Sequence, residues 1–264
     1  MTDPIERWWT VQHGPGPVLA TAIHHGHELR PEVARAIALD EAERRREEDP
    51  FTGEVVRDVP THIVVHRSRF EVDLNRATDG AVYRNPEQCW GLSVWKEGEP
   101  NDSLVGRSVA IHAAYYRMLA GLLDDLADRH DRFLLVDVHS YNHRRDGPEA
   151  PPTAPEQAPD VNLGTFSMPR DRWSFLVDPL IEAMRAFDFD GRRLDVRENV
   201  AFQGKGEQTR FVHERYPGAG CAIALEFKKF FMDEWSGAPD AAQLAAMRML
   251  VAHIARTAEG ILSP

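Results

Sequence analysis

Phe133-Leu134-Leu135-Val136-Asp137-Val138-His139-Ser140-Tyr141 opens on an apolar run and closes on His-Ser-Tyr. That order reads as a buried strand delivering a histidine to its carboxyl end. Ligands of open α/β sheets bind at that end. Two other strand-like runs finish the same way. Val18-Leu19-Ala20-Thr21-Ala22-Ile23 leads into His24, and Cys221-Ala222-Ile223-Ala224-Leu225 leads into Glu226. Imidazoles and a carboxylate converging from three strand ends suggest a hydrolytic metal site.

Strand-like runs alternate with helical patterns along the rest of the chain. Strands are expected at 18–23, 61–65, 69–74, 133–138, 193–198 and 221–227. A helix is expected over 30–46, with Pro31 near its start, where proline is tolerated. The clearest helix is 108–129, with Ile111, Tyr115, Met118, Leu119, Leu122, Leu123 and Leu126 at helical spacing. Further helices are expected over 172–187, bent or started at Pro179, and over 241–262. The alternation argues for an α/β fold in which residues 1–264 form a single domain. Its sheet is expected to be mixed, mostly parallel and flanked by helices. The Pro-rich stretch 147–159 lies between His139 and Asp160-Val161-Asn162-Leu163-Gly164. It is expected to be a loop near the site, forming a rim or lid.

Composition removes several classes of function. Of the 264 residues, 42% are hydrophobic and 28% charged, the balance of a soluble globular chain rather than a disordered one. The net charge of -11 argues against nucleic-acid binding, which needs a basic footprint. It leaves room for an anionic small substrate, because a local arginine can dominate a pocket. Cys89 and Cys221 are the only cysteines, so a four-cysteine zinc site is impossible. Two thiols outside any CxxC pair suit a reducing cytoplasm. No stretch approaches the roughly 20 apolar residues of a membrane span. Met1-Thr2-Asp3-Pro4-Ile5-Glu6-Arg7 lacks a basic head and an apolar core, so no signal peptide is expected. The oligomeric state is not readable.

Four constellations carry candidate chemistry. His24-His25-Gly26-His27-Glu28 gathers three histidines in four positions, and zinc favours imidazole and carboxylate ligands. The bland alternative is a hydrogen-bonded surface histidine. Arg46-Glu47-Glu48-Asp49-Pro50 clusters acids at a helix C-terminus, where the dipole disfavours them, so it either serves a cation or is a solvated helix end. In Asp73-Leu74-Asn75-Arg76 the arginine offers a planar fork for a carboxylate, with an amide beside it; a structural salt bridge to Asp73 or Asp79 is the alternative. Glu226 sits among apolar neighbours, where an unpaired carboxylate is costly unless it works as a base. An ion pair with Lys228, Arg210 or Arg215 is the plain reading.

Taken in order, these segments resemble the N-formylglutamate amidohydrolase family, itself related to zinc carboxypeptidases and to the aspartoacylase and succinylglutamate desuccinylase group. Ile23-His24-His25-Gly26 is similar to the family's Pro-His-Ser-Gly, and Ser68-Arg69 through Asp73-Leu74-Asn75-Arg76 to its Ser-Arg…Asp-x-Asn-Arg. Asp137-x-His139-Ser140 matches Asp-x-His-Ser. Asn162-Leu163-Gly164-Thr165 resembles the Asn-x-Gly-Thr loop, and Glu226 through Met232-Asp233-Glu234 resembles Glu…Tyr-Met-Asp-Glu. There are departures. Ile23 and His25 replace the proline and serine around the first histidine, and His25 with Glu28 also spells the His-x-x-Glu spacing of carboxypeptidases.

The resemblance implies a zinc-carboxypeptidase-like fold and a metal-dependent hydrolase of a small N-acyl amino acid, N-formyl-L-glutamate or a relative. It implies Zn²⁺, or another divalent metal, on His24, Asp49 and His139, with His25 and Glu28, Glu47 or Glu48 as alternative ligands. Glu226 is then the general base, Asn75 and Arg76 the grip on the amino-acid carboxylate, and Arg210 the holder of a second carboxylate or the oxyanion. A carboxypeptidase-like peptidase and a non-catalytic binding protein on the same fold are the rival readings.

Overall fold

A computed structural model describes residues 8–263; Met1 to Arg7, read above as lacking a leader, lie outside them. The framework is one mixed sheet of seven strands, β1 (Trp9–Gln12), β2 (Val18–Ala22), β3 (Thr61–Val65), β4 (Phe133–Tyr141), β5 (Val161–Gly164), β6 (Val196–Glu198) and β7 (Gly220–Lys228). Their order across the sheet is β1-β3-β2-β4-β7-β5-β6. β3, β2, β4 and β7 run parallel, β1 runs antiparallel to β3, and β5 runs antiparallel to β7 but parallel to β6.

The central strands read as continuous apolar runs because helices cover both faces of the sheet. Alternation within β4 sends Leu134, Val136 and Val138 to one core and Phe133 and Leu135 to the other. The first core is closed by α5 (Ser174–Ala186) and α7 (Ala241–Leu262), through residues such as Leu180, Met184, Leu250 and Ile254. The second is closed by α4 (Asp102–Arg129), through Tyr115, Leu119, Leu122 and Leu126, and by Val212 of α6 (Glu207–Arg215). Asp137 and His139 continue the Phe133 and Leu135 row, so they face the α4 and α6 side. Among the described residues no helix is long and apolar enough to cross a membrane.

Three expectations change. The single helix over 30–46 is two helices, α1 (Pro31–Ala36) and α2 (Glu41–Glu47). Ile37 between them is extended and bridges Trp95. Asp40 then opens α2 with a capping box: its side chain accepts from Glu43 N–H at 2.9 Å, and the Glu43 carboxylate accepts from Asp40 N–H at 2.8 Å. Residues 69–74 form no strand. Their alternation reflects buried ion pairs, Glu71 with Arg30 and Asp73 with Arg69, rather than a pleat. The helix expected from Ser108 begins at Asp102, where the Asn101 side chain caps Leu104 N–H at 2.8 Å. A short α3 (Thr52–Val55) follows the acidic turn.

Candidate metal centre and active-site cavity

The carboxyl ends of β2, β4 and β7 meet in a cavity of about 600 Å³. His24 lies two residues past the end of β2, after Ile23. The turn after it is tight: a Cβ on Gly26 would lie 1.9 Å from the His66 carbonyl carbon, so only glycine fits there. The His24 carbonyl accepts from Asp49 N–H at 2.9 Å, which brings the end of α2 to the sheet. His139 lies on β4, and its partner in the parallel register of β7 is Glu226.

Three side chains converge. Asp49 Oδ2 stands 2.9 Å from His139 Nδ1 and 3.4 Å from His24 Nδ1. The ring centroids of the two histidines are 4.8 Å apart. The far nitrogen of each ring meets a second carboxylate: His24 Nε2 is 2.8 Å from Asp73 Oδ1, and His139 Nε2 is 2.9 Å from Asp137 Oδ2. Both rings therefore turn their Nδ1 atoms towards the same point, with Nε2 anchored behind. All five groups are buried.

This arrangement fits a cation. One potential ligand atom from each of His24, Asp49 and His139 lies within 4.8 Å of the others. His24 Nδ1 is buried and makes no hydrogen bond, a costly state unless something else meets it. Two imidazoles and a carboxylate, each imidazole backed by an acid, make a donor set suited to zinc. The alternatives are engaged otherwise, and of them only Glu47 lines the cavity. His25 packs against Gly53, and burial, with help from His27 and His66, lowers its pKa to about 4. Glu28 faces Arg67 at 3.8 Å. Glu48 is bonded to Ser68, and Glu47 is paired with Arg145 at 3.1 Å.

Burial sets the charges. It works against ionised Asp49, but the two histidines more than offset it and hold the carboxyl below its usual range. Burial likewise opposes a charged His139, yet Asp137 and Asp49 hold that ring's pKa well above its ordinary value. Glu226 lines the cavity beside them, and burial, with Asp49 and Asp137 nearby and His139 and Arg69 opposing, pushes its carboxyl up to about 8.

Asn75, Arg76 and Arg210 also line the cavity. The 74–76 segment is buttressed by α4: Tyr116 OH donates to Leu74 O at 2.6 Å, and His112 Nε2 meets Arg76 O at 2.8 Å. A Cβ on Gly206 would sit 2.2 Å from Asn75 Oδ1, so the start of α6 can approach Asn75 only as glycine. Arg76 reaches Asp73 at 3.5 Å and Gln88 O at 2.9 Å, so the salt bridge raised as its alternative exists, while the guanidinium still borders the cavity. Arg210 at the rim is held by Glu207 and by Glu214 at 2.9 Å. Glu226 takes none of the ion-pair partners considered for it; Lys228 pairs with Asp160, and Arg215 with Asp124. No residue of 147–159 lines the cavity.

Several contributors escaped the sequence reading. Asp73 and Asp137 were visible in the motifs, but their contacts with the histidines were not. For Asp137 a signal existed, since period two puts it on the same face as His139. Arg69 is a further lining residue, donating to Asp73 at 2.8 Å and to Tyr83 OH at 3.0 Å. Trp90 and Phe202 form aromatic walls.

The family model described as N-formylglutamate amidohydrolase matches residues 16–232. No curated protein matches the chain. Among solved structures, an N-formylglutamate amidohydrolase from Ralstonia eutropha JMP134 is similar at TM-score 0.76 and 16% identity, covering 97% of this chain and 98% of that one. A gene product from Agrobacterium tumefaciens is similar at TM-score 0.65 and 16% identity, covering 97% of each chain. At such identities the likeness is one of fold.

Proposed function

Because the chain belongs to the N-formylglutamate amidohydrolase family, we propose that it hydrolyses the amide bond of a small N-acyl amino acid with a zinc or similar divalent ion. N-formyl-L-glutamate or a close relative is the substrate we infer. The ion is assigned to His24, Asp49 and His139, and the observation that carries the reading is their convergence on one point with Glu226 beside them. When bound, such an ion supplies Lewis acidity, acidifying water and polarising a carbonyl.

The remaining work falls to the side chains. Glu226 accepts a proton at its carboxylate from the attacking water and passes it to the nitrogen of the departing amine. Burial raises that carboxyl's pKa, which suits it to give the proton up again as well as to take it. Arg76, with the Asn75 amide beside it, takes the amino-acid carboxylate. Arg69 and Arg76 share the single carboxylate of Asp73, which leaves positive charge for a bound anion. Arg210, at the rim, is assigned the second carboxylate. Two buried free thiols, Cys89 and Cys221, support a cytoplasmic location.

A screen of N-formyl, N-acetyl and N-succinyl amino acids, with and without chelator, tests the proposal. Turnover of an N-acyl acidic amino acid that is lost with chelator and restored by zinc is the expected result. Full activity in metal-free protein refutes it.

A further inference from the structure

Lys229 is the one lysine of the chain that is fully buried, at 1% exposure. It lies just past β7, three residues beyond Glu226. Its neighbour Lys228 pairs with Asp160 at 2.8 Å. Lys229 has no such pairing with a carboxylate among the described residues. Its Nζ donates to two backbone carbonyls, those of Arg46 and Glu48, at 2.5 and 2.8 Å.

Those carbonyls belong to the turn that delivers Asp49. Arg46 sits in the last turn of α2, and the residue four positions on, which would donate to its carbonyl in a continuing helix, is Pro50. Proline has no N–H to give. Glu48 is already extended, at φ -76° and ψ 174°, and Asp49 is the next residue. A cation from the residue that follows β7 therefore satisfies carbonyls on both sides of Glu47, where the helix dipole also favours positive charge. Because β7 also carries Glu226, one side chain ties the turn bearing Asp49 to the strand bearing the proposed base.

We propose that Lys229 is a positioning residue for the metal centre: by holding the Arg46 and Glu48 carbonyls it fixes the Asp49 carboxylate between His24 and His139. The inference rests on the metal-site reading above.

The test is zinc affinity of the full-length chain, measured by competition with a chromogenic chelator. Folding is checked by far-UV circular dichroism and the thermal midpoint. Lys229→Met is expected to weaken zinc binding by roughly tenfold or more, the scale found when a group orienting a ligand is lost. Lys228→Met is expected to bind as the wild type does. In an Asp49→Asn background Lys229→Met should add nothing, since its effect passes through Asp49. Should Lys229→Met not fold, Lys229→Gln takes its place, being too short to reach both carbonyls. A folded Lys229 variant with wild-type affinity overturns the proposal, as does an undiminished effect in the Asp49→Asn background. Wild-type protein that binds no zinc overturns the metal reading and this inference together. Wild type that binds zinc no better than the Lys229 variant overturns this inference alone.

Discussion

His139 and Glu226 are partners in the parallel register of β4 and β7, so an imidazole and a carboxylate stand side by side at the carboxyl ends of adjacent strands. Their relative placement is set by nine paired positions of backbone, from Phe133 with Gly220 to Tyr141 with Lys228. A pair of side chains mounted on strands is held more rigidly than one on loops. Glu226→Gln is nearly isosteric and should leave that frame intact. It is expected to bind zinc as the wild type does and to lose kcat by about 10²- to 10⁴-fold, the range for removal of a general base. Zinc stoichiometry and steady-state kinetics on the same preparation check this. Unchanged kcat removes Glu226 from the chemistry.

Asp137 backs His139 at the proposed metal site. Its Oδ2 is 2.9 Å from Nε2 of the ring, and its Oδ1 accepts from Thr21 at 2.9 Å. Thr21 in turn accepts from Gln208 at 2.6 Å, which anchors the acid to α6. Asp137→Asn keeps the shape and removes the charge. Zinc affinity is expected to fall by about 10- to 100-fold, as for other groups that orient a metal ligand. Competition with a chelator reads the change, and an affinity equal to the wild type contradicts it.

Arg76 is half committed to Asp73 and Gln88, with its side chain 38% exposed on the cavity. If the exposed part grips the amino-acid carboxylate, Arg76→Ala should raise KM by about tenfold or more on N-acyl amino acids, the scale of a charge-assisted hydrogen bond. The same substitution should change KM little on the α-amide of that substrate. Equal losses on both substrates mean that Arg76 only braces Asp73.

The parts of this molecule legible in sequence are those where one-dimensional pattern and burial coincide. β2, β4 and β7 are apolar runs because both faces are covered, and His24, His139 and Glu226 are visible because they interrupt or end such runs. Residues 69–74 mislead for the opposite reason: Glu71 and Asp73 are polar yet buried, each paid for by an arginine. β1 is hard to see because it is an antiparallel edge strand whose residues are half exposed. The break between α1 and α2 has a local signature in Asp40 and Glu43, but the bridge from Ile37 to Trp95 that enforces it is tertiary. Asp49 is reached in sequence only by resemblance, since a run of acids at a helix end gives no sign of which one faces the site. Lys229 is invisible for the same reason, its acceptors lying about 180 positions earlier in the chain.

His213 is expected to give the fold a pH dependence of its own, apart from the proposed metal site. It is buried in α6, where its Nε2 accepts from Ala222 N–H at 2.9 Å and its Nδ1 meets Ser167 Oγ at 2.9 Å. An Nε2 that accepts carries no proton, so the folded chain requires the neutral ring. Burial accordingly lowers its pKa from 6.5 to about 4. Between those values the unfolded chain binds a proton that the folded chain refuses. The stabilisation is therefore complete above pH 6.5 and is lost as pH falls towards 4. The shift corresponds to about 3 kcal/mol at most. His213→Gln keeps an acceptor for Ala222 but does not titrate. Urea unfolding of both proteins at pH 7.5 and 4.5 is expected to show the wild type losing about 2–3 kcal/mol relative to the variant on acidification. Other titrating groups cancel in that difference, since they are common to both chains. A difference that stays constant with pH means that His213 accepts a proton without leaving its place, and the neutral-ring requirement falls.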